Sequence, residues 1–269
     1  MKWTGEAEEA VSRVPFFVRK RVKKRVEEEA GRLGSREVTI DHVRTFQKRY
    51  LSNMEEEVKG FQVETCFGPS GCPNRAITDN GMAGRIERLL AGKNLKSFLK
   101  EKVKGPLKIH HEFRISISDC PNACSRPQIA DIGLIGANRP EVSDSPCTNC
   151  DACVESCREN AIILKGIESG PHIDYKKCLS CSKCISACPA GTLRSLETGW
   201  RIVVGGKLGR HPQLGTELKG VYSCEQAVLM IERCLDFYMA HNIEGERFGE
   251  VINRTGVEVI EDFLRILSS

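Results

Sequence analysis

Two stretches of this chain carry the same cysteine spacing, CTNCDACVESC at residues 147–157 and CLSCSKCISACP at residues 178–189. Each has the form C-x2-C-x2-C-x3-C. The chain has 14 cysteines, none before Cys66 and twelve between Cys66 and Cys188. Such regular clustering, behind an acidic start (MKWTGEAEEA) that is not typical of a secretory signal, argues against disulfides and for metal ligation.

The repeated spacing is that of bacterial two-cluster ferredoxins, in which each run supplies three thiolates to one 4Fe–4S cubane and its fourth to the other. Arg158 follows the first run where proline follows the second, and this departure leaves the ligands intact. Zinc knuckles or free thiols are the alternatives. The spacing predicts one cluster on Cys147, Cys150, Cys153 and Cys188, and a second on Cys157, Cys178, Cys181 and Cys184.

Four further cysteines form a second pattern, Cys66-x5-Cys72 followed by Cys120-x3-Cys124. Four thiolates are the number that a third 4Fe–4S cluster needs. The surrounding sequences, ETCFGPSGCPN (64–74) and ISDCPNACSRPQIADIGLIG (117–136), are rich in glycine, proline and asparagine, which favour tight turns close to a ligand.

This second pattern, together with GWRIVVGGKLGRHP at 199–212, resembles the siroheme and 4Fe–4S domain of sulfite and nitrite reductases. The resemblance implies an α+β fold in which a siroheme/4Fe–4S reductase domain (51–140 and 199–269) is interrupted by a two-cluster ferredoxin insert (141–198), as in the dissimilatory and anaerobic types. The residues agree, because IGLIG (132–136) and RIVVGG (201–206) are short apolar runs that predict neighbouring strands.

The resemblance also implies cofactors and site residues. The expected cofactors are three 4Fe–4S clusters and a siroheme, whose iron the last cysteine of the set, here Cys124, bridges to the cubane. A basic pocket would hold the anionic substrate, and ordinary surface charge is the alternative for each basic residue. The candidate catalytic residues are Lys108, His111 and Arg114, and the candidate cofactor-binding residues are Asn122, Cys124, Arg126, Lys207 and Arg210.

Two departures from the family pattern stand out. Members commonly carry a segment close to Arg-Lys-Phe-Lys before the second cysteine pair, where this chain has His111, Glu112, Phe113 and Arg114. Only Arg114 keeps a certain positive charge, and we expect Glu112 to repel an anion. Full enzymes also contain two related halves, so we expect a partner subunit or a second copy to complete the siroheme pocket.

Residues 1–50 are expected to form a small helical domain, because Val14, Phe17, Val18, Val22 and Val26 recur at helical spacing. The stretch from Trp3 to VTIDHV resembles the small C-terminal domain found in one component of the light-independent protochlorophyllide reductase, its B polypeptide. Its basic run RKRVKKR (19–25) precedes three glutamates. A solvated helix face, or a docking patch for an acidic electron carrier, is favoured over nucleic-acid binding because stacking aromatics are lacking.

Three local patterns predict helices and core residues elsewhere. Residues 81–103 predict one or two amphipathic helices broken near Gly92, and Ser223 with Gln226 predicts a capping box that opens a helix ending near His241. Cys224 and Cys234 fit no ligand spacing, so we interpret them as buried structural thiols.

These features favour a siroheme- and 4Fe–4S-dependent sulfite (or nitrite) reductase, or a subunit of one, that reduces a small oxyanion. Electrons would come from a donor protein, a ferredoxin or reductase subunit. A siroheme-free, three-cluster electron-transfer subunit is the alternative, and a nucleic-acid-binding protein ranks last. No apolar run is long enough to span a membrane, and the cysteine content indicates a reducing cytoplasm. Three oxidised cubanes, each about −2, would change the formal charge of +4 to about −2.

Overall fold

A computed structural model describes residues 1–78, 81–164 and 170–266, and the chain divides into two compact units. The first unit comprises residues 1–59 and 105–110, and the second comprises residues 60–104 and the chain from His111 onwards. The domain boundaries drawn from the sequence stay predictions. Positions 165–169 of the predicted insert and 267–269 of the predicted reductase domain lie outside the described residues.

The first unit consists of three helices joined by a small parallel ribbon. Its elements are β1 (Lys2–Trp3), α1 (Gly5–Ser12), α2 (Phe16–Arg32), β2 (Glu37–Val38) and α3 (Ile40–Glu57). Thr4 caps α1 by accepting a hydrogen bond from the Ala7 N–H, and the Thr39 N–H donates to His42 Nδ1 at the start of α3. Its small buried core is formed by Ala7, Val26, Ala30 and Val38.

A five-stranded mixed sheet organises the second unit. Its strands are β3 (Phe61–Thr65), β4 (Phe113–Ser118), β5 (Ile132–Val142), β8 (Leu193–Val204) and β9 (Thr216–Glu217), in the spatial order β3-β4-β5-β8-β9. The first three strands run parallel, and β8 and β9 are antiparallel to their neighbours. The predicted pairing of 132–136 with 201–206 is confirmed, because Ile132 pairs with Val204 and Gly136 with Trp200.

Five helices pack against this sheet: α4 (Met82–Gly92), α5 (Leu95–Lys102), α8 (Cys224–His241), α9 (Phe248–Thr255) and α10 (Val257–Ile266). The break near Gly92 and the capping box of Ser223 with Gln226 are both as predicted. Cys234 is fully buried, as predicted, whereas Cys224 is only half-buried and packs against the edge of the same core. None of the helices in the described ranges combines the length and apolar character needed to cross a bilayer.

Strand β4 shows how the sheet separates its core from its polar face. Successive side chains of a strand point to opposite faces. Phe113, Ile115 and Ile117 join the helix-covered core, and this leaves Ser116 and Ser118 on the opposite face, where they bond to the loop that follows β4. The loop that carries Cys120 and Cys124 therefore packs on the sheet face that the helices leave uncovered.

The predicted insert is continuous with the main sheet. It contains α6 (Ala152–Glu155), β6 (Ile162–Leu164), β7 (Pro171–Ile173) and α7 (Lys183–Ala187). The pairing of β6 with β7 (Ile162 with Ile173) recurs 31 residues away in the pairing of Leu193 with Val142, at the outer ends of β8 and β5. The predicted insert thus contains two similar strand pairs, and one of them is formed by the outer ends of β5 and β8, which also belong to the main sheet. A register shift at Arg139/Pro140 separates the part of these strands in the main sheet from the part in the predicted insert.

Candidate metal centres

Cys66 follows β3 directly and begins a tight loop. Its Sγ accepts hydrogen bonds from the backbone N–H groups of Gly68 at 3.2 Å and Asp119 at 3.3 Å. Hydrogen bonds to the ligand sulfurs are one means by which a protein tunes an iron–sulfur cluster. Asp119 itself is held in place, because it is buried and its carboxylate pairs with Arg75 at 3.3 Å.

Cys120 and Cys124 lie in the loop after β4, which buried serines hold in place. Ser116 Oγ donates to the Ser125 carbonyl at 2.6 Å, and the Ser118 and Ser125 hydroxyls lie 2.7 Å apart. Ala123 adopts a left-handed backbone conformation (φ 52°), which turns the chain between the two cysteines. These hydrogen bonds attach the loop to β4. The end of β4 therefore determines where Cys120 and Cys124 lie.

The structure brings together the four cysteines predicted for the third cluster. Burial raises the pKa of the Cys120 thiol, and the charges of Cys124, Cys66 and Cys72 raise it further. Cys120 is buried, whereas the side chain of Cys124 is exposed. Cys66 and Cys72 are half-buried, so Cys124 is the most exposed residue of the set.

The eight ferredoxin-type cysteines converge on two cavities in the predicted grouping. One small cavity is lined by all of the first set, Cys147, Cys150, Cys153 and Cys188. The other has a volume of about 110 Å³ and is lined by all of the second set, Cys157, Cys178, Cys181 and Cys184.

The two loops that hold these cysteines share one backbone conformation. Asn149 and Asp151 in the first loop, and Ser180 and Ser182 at the same positions of the second, have φ between 50° and 64°. Alternation of left- and right-handed residues turns successive N–H groups inward and forms an anion-binding nest of the kind found at Fe–S sites. The Asn149 and Ser180 N–H groups accordingly donate to the first cysteine of each run, both at 3.4 Å.

The pKa of a buried thiol indicates whether these cavities favour a bound cation. Burial, together with Cys178, Cys181 and Cys157, raises the pKa of Cys184 to about 12. Several thiolates held this close repel one another, and a bound cation is the charge that keeps such sulfurs deprotonated. The donor set of four sulfurs surrounded by inward N–H groups therefore fits an iron–sulfur cluster.

A single small ion fits these cysteine sets less well than a cluster does. Zn²⁺ holds its thiolates at about 2.3 Å, and a cubane with iron at four corners holds them further apart. Within residues 1–78, 81–164 and 170–266, no three His, Cys, Asp or Glu side chains converge closely enough to hold one metal ion.

The second ferredoxin set lies beside the third cysteine set. The cavity lined by Cys157, Cys178, Cys181 and Cys184 is also lined by Cys120 and Asn122. The Asn138 N–H of β5 donates to the Ser180 carbonyl at 2.8 Å, and Lys183 Nζ donates to the Pro73 carbonyl at 3.3 Å. These contacts join the insert to both cysteine loops of the main sheet.

Arg114, a predicted catalytic residue, lies on β4 and pairs with Glu64 of β3 at 2.8 Å. The two line a small cavity of about 30 Å³ together with Arg126, a predicted cofactor-binding residue, which has φ 61°. Glu64 was not foreseen from the sequence, although its position just before the Cys66 loop was a usable signal. This cavity gathers two arginines and one glutamate, and Ser125, the residue after Cys124, also lines it.

The remaining predicted site residues differ in their surroundings. Lys207 is 8 % exposed and its Nζ bonds to Glu250 at 2.6 Å, whereas Arg210 is exposed in the following turn. Asn122 is exposed and lines the cavity of the second ferredoxin set. His111 ends a short 3-10 helix, and Lys108 belongs to the first unit.

Glu112 does not face a substrate site as the sequence suggested. It is 3 % exposed, and its Oε1 accepts the Gly60 N–H at 3.1 Å. The carboxylate thus links the residue before β3 to the residue before β4. This hydrogen bond is consistent with the strand register, in which Phe61 lies opposite Phe113. The expected repulsion of an anion by Glu112 is wrong for this reason.

Fold and cysteine sets together define an iron–sulfur oxidoreductase domain of the sulfite/nitrite reductase type. A family profile described as "Nitrite and sulphite reductase 4Fe-4S domain" matches residues 60–266, and the chain belongs to this family. A second profile, "Proto-chlorophyllide reductase 57 kD subunit", matches residues 3–46.

Relatives resemble parts of the chain. It is 38% identical over 148 residues to the coenzyme F420-dependent sulfite reductase of Methanocaldococcus jannaschii, a match covering 54% of this chain and 23% of that protein. It is 25% identical over 152 residues to the C polypeptide of the anaerobic sulfite reductase of Salmonella typhimurium, covering 51% of this chain and 40% of that polypeptide. The chain thus spans less than half the length of these relatives.

One solved structure has the same fold. The crystal structure of dissimilatory sulfite reductase I superposes with a TM-score of 0.53 at 19% identity, covering 81% of this chain and 57% of that one. At this identity the likeness shows the fold alone. The first unit has its own relative, because 41 residues are 54% identical to the B polypeptide of the light-independent protochlorophyllide reductase of Chlorobium phaeovibrioides, covering 15% of this chain and 8% of that polypeptide.

Proposed function

We propose that this chain is the cluster-bearing part of a siroheme-dependent sulfite or nitrite reductase. The observation that carries the proposal is the exposed Cys124, which belongs to a set of four cysteines and is followed in the chain by Ser125 and Arg126, both of which line a cavity with Arg114. Two relatives that bear the name sulfite reductase support the same reaction class.

The residues around Cys124 fit a siroheme on the face that the helices leave uncovered. When bound, siroheme would supply the metal at which a sulfur or nitrogen oxyanion is reduced. Cys124 would help to hold it, while Arg126 and Arg210, both exposed, would supply positive charge for its carboxylates. A partner subunit or a second copy would cover the other side, and the relative named as the C polypeptide of an anaerobic sulfite reductase supports this.

Arg114 is the residue best placed to hold the anionic substrate. Its Nη2 pairs with Glu64, and its buried Nε has no hydrogen-bond partner in the described structure. An unsatisfied buried N–H favours an incoming acceptor. An oxyanion would meet Arg114 only by competing with Glu64, so that carboxylate would set the affinity for the substrate. His111 and Lys108 stay candidate catalytic residues, as the family resemblance implies.

The order of the clusters would be set by contact. The second ferredoxin set shares a cavity with Cys120, whereas the cavity of the first set contains no residue of the third set in the parts that the structure describes. Electrons from a donor protein would therefore enter at the cluster of Cys147, Cys150, Cys153 and Cys188. They would continue through the second cluster to the third.

A siroheme-free electron-transfer subunit with three clusters is the second candidate. It is favoured by the pairing of two expected anion-binding cations, because Arg114 meets Glu64 and Lys207 meets Glu250. In each pair the glutamate neutralises a positive charge that would otherwise be available to bind a siroheme carboxylate or an oxyanion.

One anaerobic purification separates the two candidates. The protein, produced in cells able to make siroheme, is examined for its absorption spectrum and its iron per chain. A reductase should contain about 13 irons with tetrapyrrole bands, and the relay should contain about twelve without them. Absence of tetrapyrrole refutes the first candidate, and fewer than about twelve irons refutes the three-cluster assignment.

A matched pair of variants localises the tetrapyrrole. Cys124→Ser should lose the tetrapyrrole bands and sulfite-dependent oxidation of a reduced donor, because the bridging sulfur is removed. Cys234→Ser lies in the helical core and should keep both. Equal spectra for the two variants would contradict the role of Cys124.

A further inference from the structure

The helical first unit contains a large groove that the proposed reductase function does not use. Its volume is about 850 Å³, within the range of roughly 300–1,000 Å³ that is typical of small-molecule sites. All of its lining residues lie in the segment 10–50, on α1, α2, α3 and the connection between the first two helices. The groove therefore belongs to this unit alone.

The floor of the groove is apolar. Val11 and Val26 are buried at its base, and Val22, Val43 and Phe46 complete its walls. An apolar surface of this kind is driven to exclude water, at about 25 cal/mol per Å² that a ligand covers. The occupant must therefore have an apolar body.

The rim of the groove is cationic. Arg21 and Arg25 lie one helical turn apart on α2, on the same side as Val18 and Val22, and both are exposed. Neither guanidinium forms an ion pair or hydrogen bond within the described residues. Arg13 also lines the rim and pairs only with the exposed Glu9, at 3.4 Å.

Two other members of the basic run 19–25, Arg19 and Lys23, have structural contacts, and Lys20 and Lys24 lie outside the groove lining. Arg19 donates to the Ser12 carbonyl at 2.6 Å and to the Val14 carbonyl, and so locks the turn that forms one wall. Lys23 pairs with Glu8 at 3.6 Å and lies over the Trp3 ring. A wall held in this way is preformed, which lowers the entropic cost of binding.

The dimensions favour a small molecule over a docked helix. The lining residues of α2 run from Val18 to Val26, about 12 Å at 1.5 Å per residue. That is just over two helical turns, short for a helix interface but suited to one elongated organic molecule. We propose that this groove binds an amphipathic organic anion, whose apolar body fills the valine and phenylalanine floor and whose carboxylate or sulfonate meets Arg21 and Arg25.

The test uses the full chain and the fluorescent probe anilinonaphthalene sulfonate, which combines an apolar body with an anionic group. We expect saturable binding to one site, displaced by decanoate and not by decanol. The double variant Arg21→Gln/Arg25→Gln should bind the probe about tenfold more weakly. The matched control Lys20→Gln/Lys24→Gln removes the same charge from the same helix outside the groove and should bind as the parent does.

Far-UV circular dichroism and thermal unfolding of each variant establish that the helices remain folded. Equal weakening in both double variants would mean that only general charge attracts the probe, and unchanged binding in both would place the probe elsewhere. Displacement by decanol as strong as by decanoate would show that the anionic group is not recognised. Any of these three results overturns the proposal.

Discussion

A methyl group at Gly68 would disturb the third cysteine set without touching a cysteine. A Cβ at this position would lie 2.2 Å from Asp119 Oδ2 and 2.6 Å from Asp119 Cβ. Carbon atoms pack at about 3.5–4.0 Å, so the Asp119 side chain would have to move by about 1 Å. It is buried and paired with Arg75, and therefore cannot turn away freely.

The cost of Gly68→Ala follows from these contacts. Overpacking costs about 1–3 kcal/mol, and moving the Asp119 side chain would also loosen its buried ion pair with Arg75. Because the two effects overlap, we expect about 2–4 kcal/mol, less than the roughly 5–15 kcal/mol that stabilises a typical domain. The chain should fold, but the two N–H groups that donate to Cys66 Sγ, those of residues 68 and 119, should shift.

The expected result is selective loss of the third cluster, about four of twelve irons, with the ferredoxin clusters retained. Iron per chain, the absorption spectrum and the melting temperature measure it after anaerobic purification. Gly92→Ala is the control, because a Cβ at the end of α4 meets no atom within 4 Å. A Gly68→Ala protein with full iron content and the melting temperature of the parent would refute the reasoning.

Three further predictions test the site and the fold. Glu64→Gln should lower the KM for sulfite severalfold in a steady-state assay, because it releases Arg114, and a higher KM would contradict this. Ser223→Ala removes the cap of α8 and should lower the free energy of unfolding by about 1 kcal/mol in urea; no change would show that the cap is dispensable. Burial alone would raise the pKa of Glu250, but the Lys207 ammonium at 2.6 Å holds it below its ordinary value of 4.5. A lowered folded-state pKa stabilises the fold above the unfolded-state value and loses that effect as pH falls through the folded-state value. Lys207→Met should therefore cost up to about 1 kcal/mol at neutral pH, since Glu250 is partly exposed, and progressively less below pH 4.5; a cost independent of pH would exclude the pair as its source.

Much of the fold was predictable because its signals are local. The capping box at Ser223 and the apolar spacing of residues 81–103 each depend on neighbours within one helical turn, and both helices form as expected. The alternation of β4 is equally local, with phenylalanine and isoleucine at every second position. The grouping of the ferredoxin cysteines followed from spacing alone, and the two cavities contain the predicted sets.

The partners of charged side chains were not predictable, because they come from distant parts of the chain. Glu112 was expected to face an anion, but its oxygen meets Gly60, 52 residues away. Lys207 meets Glu250, 43 residues away, and Arg114 meets Glu64, 50 residues away. The sequence does not show which face of the sheet a charged side chain occupies, and the face decides which partner it meets.

The sequence by itself determined which sulfurs belong together and that the chain contains cluster-binding loops, because ligand spacing and turn residues act over a few positions. Tertiary structure alone decided that β5 and β8 extend from the main sheet into the predicted insert, and that Cys124 is the most exposed residue of the third cysteine set. It also decided that Arg21 and Arg25 face a groove while Arg19 and Lys23 support its wall. Strand pairing and helix packing join residues far apart in sequence, and spacing carries no information about either.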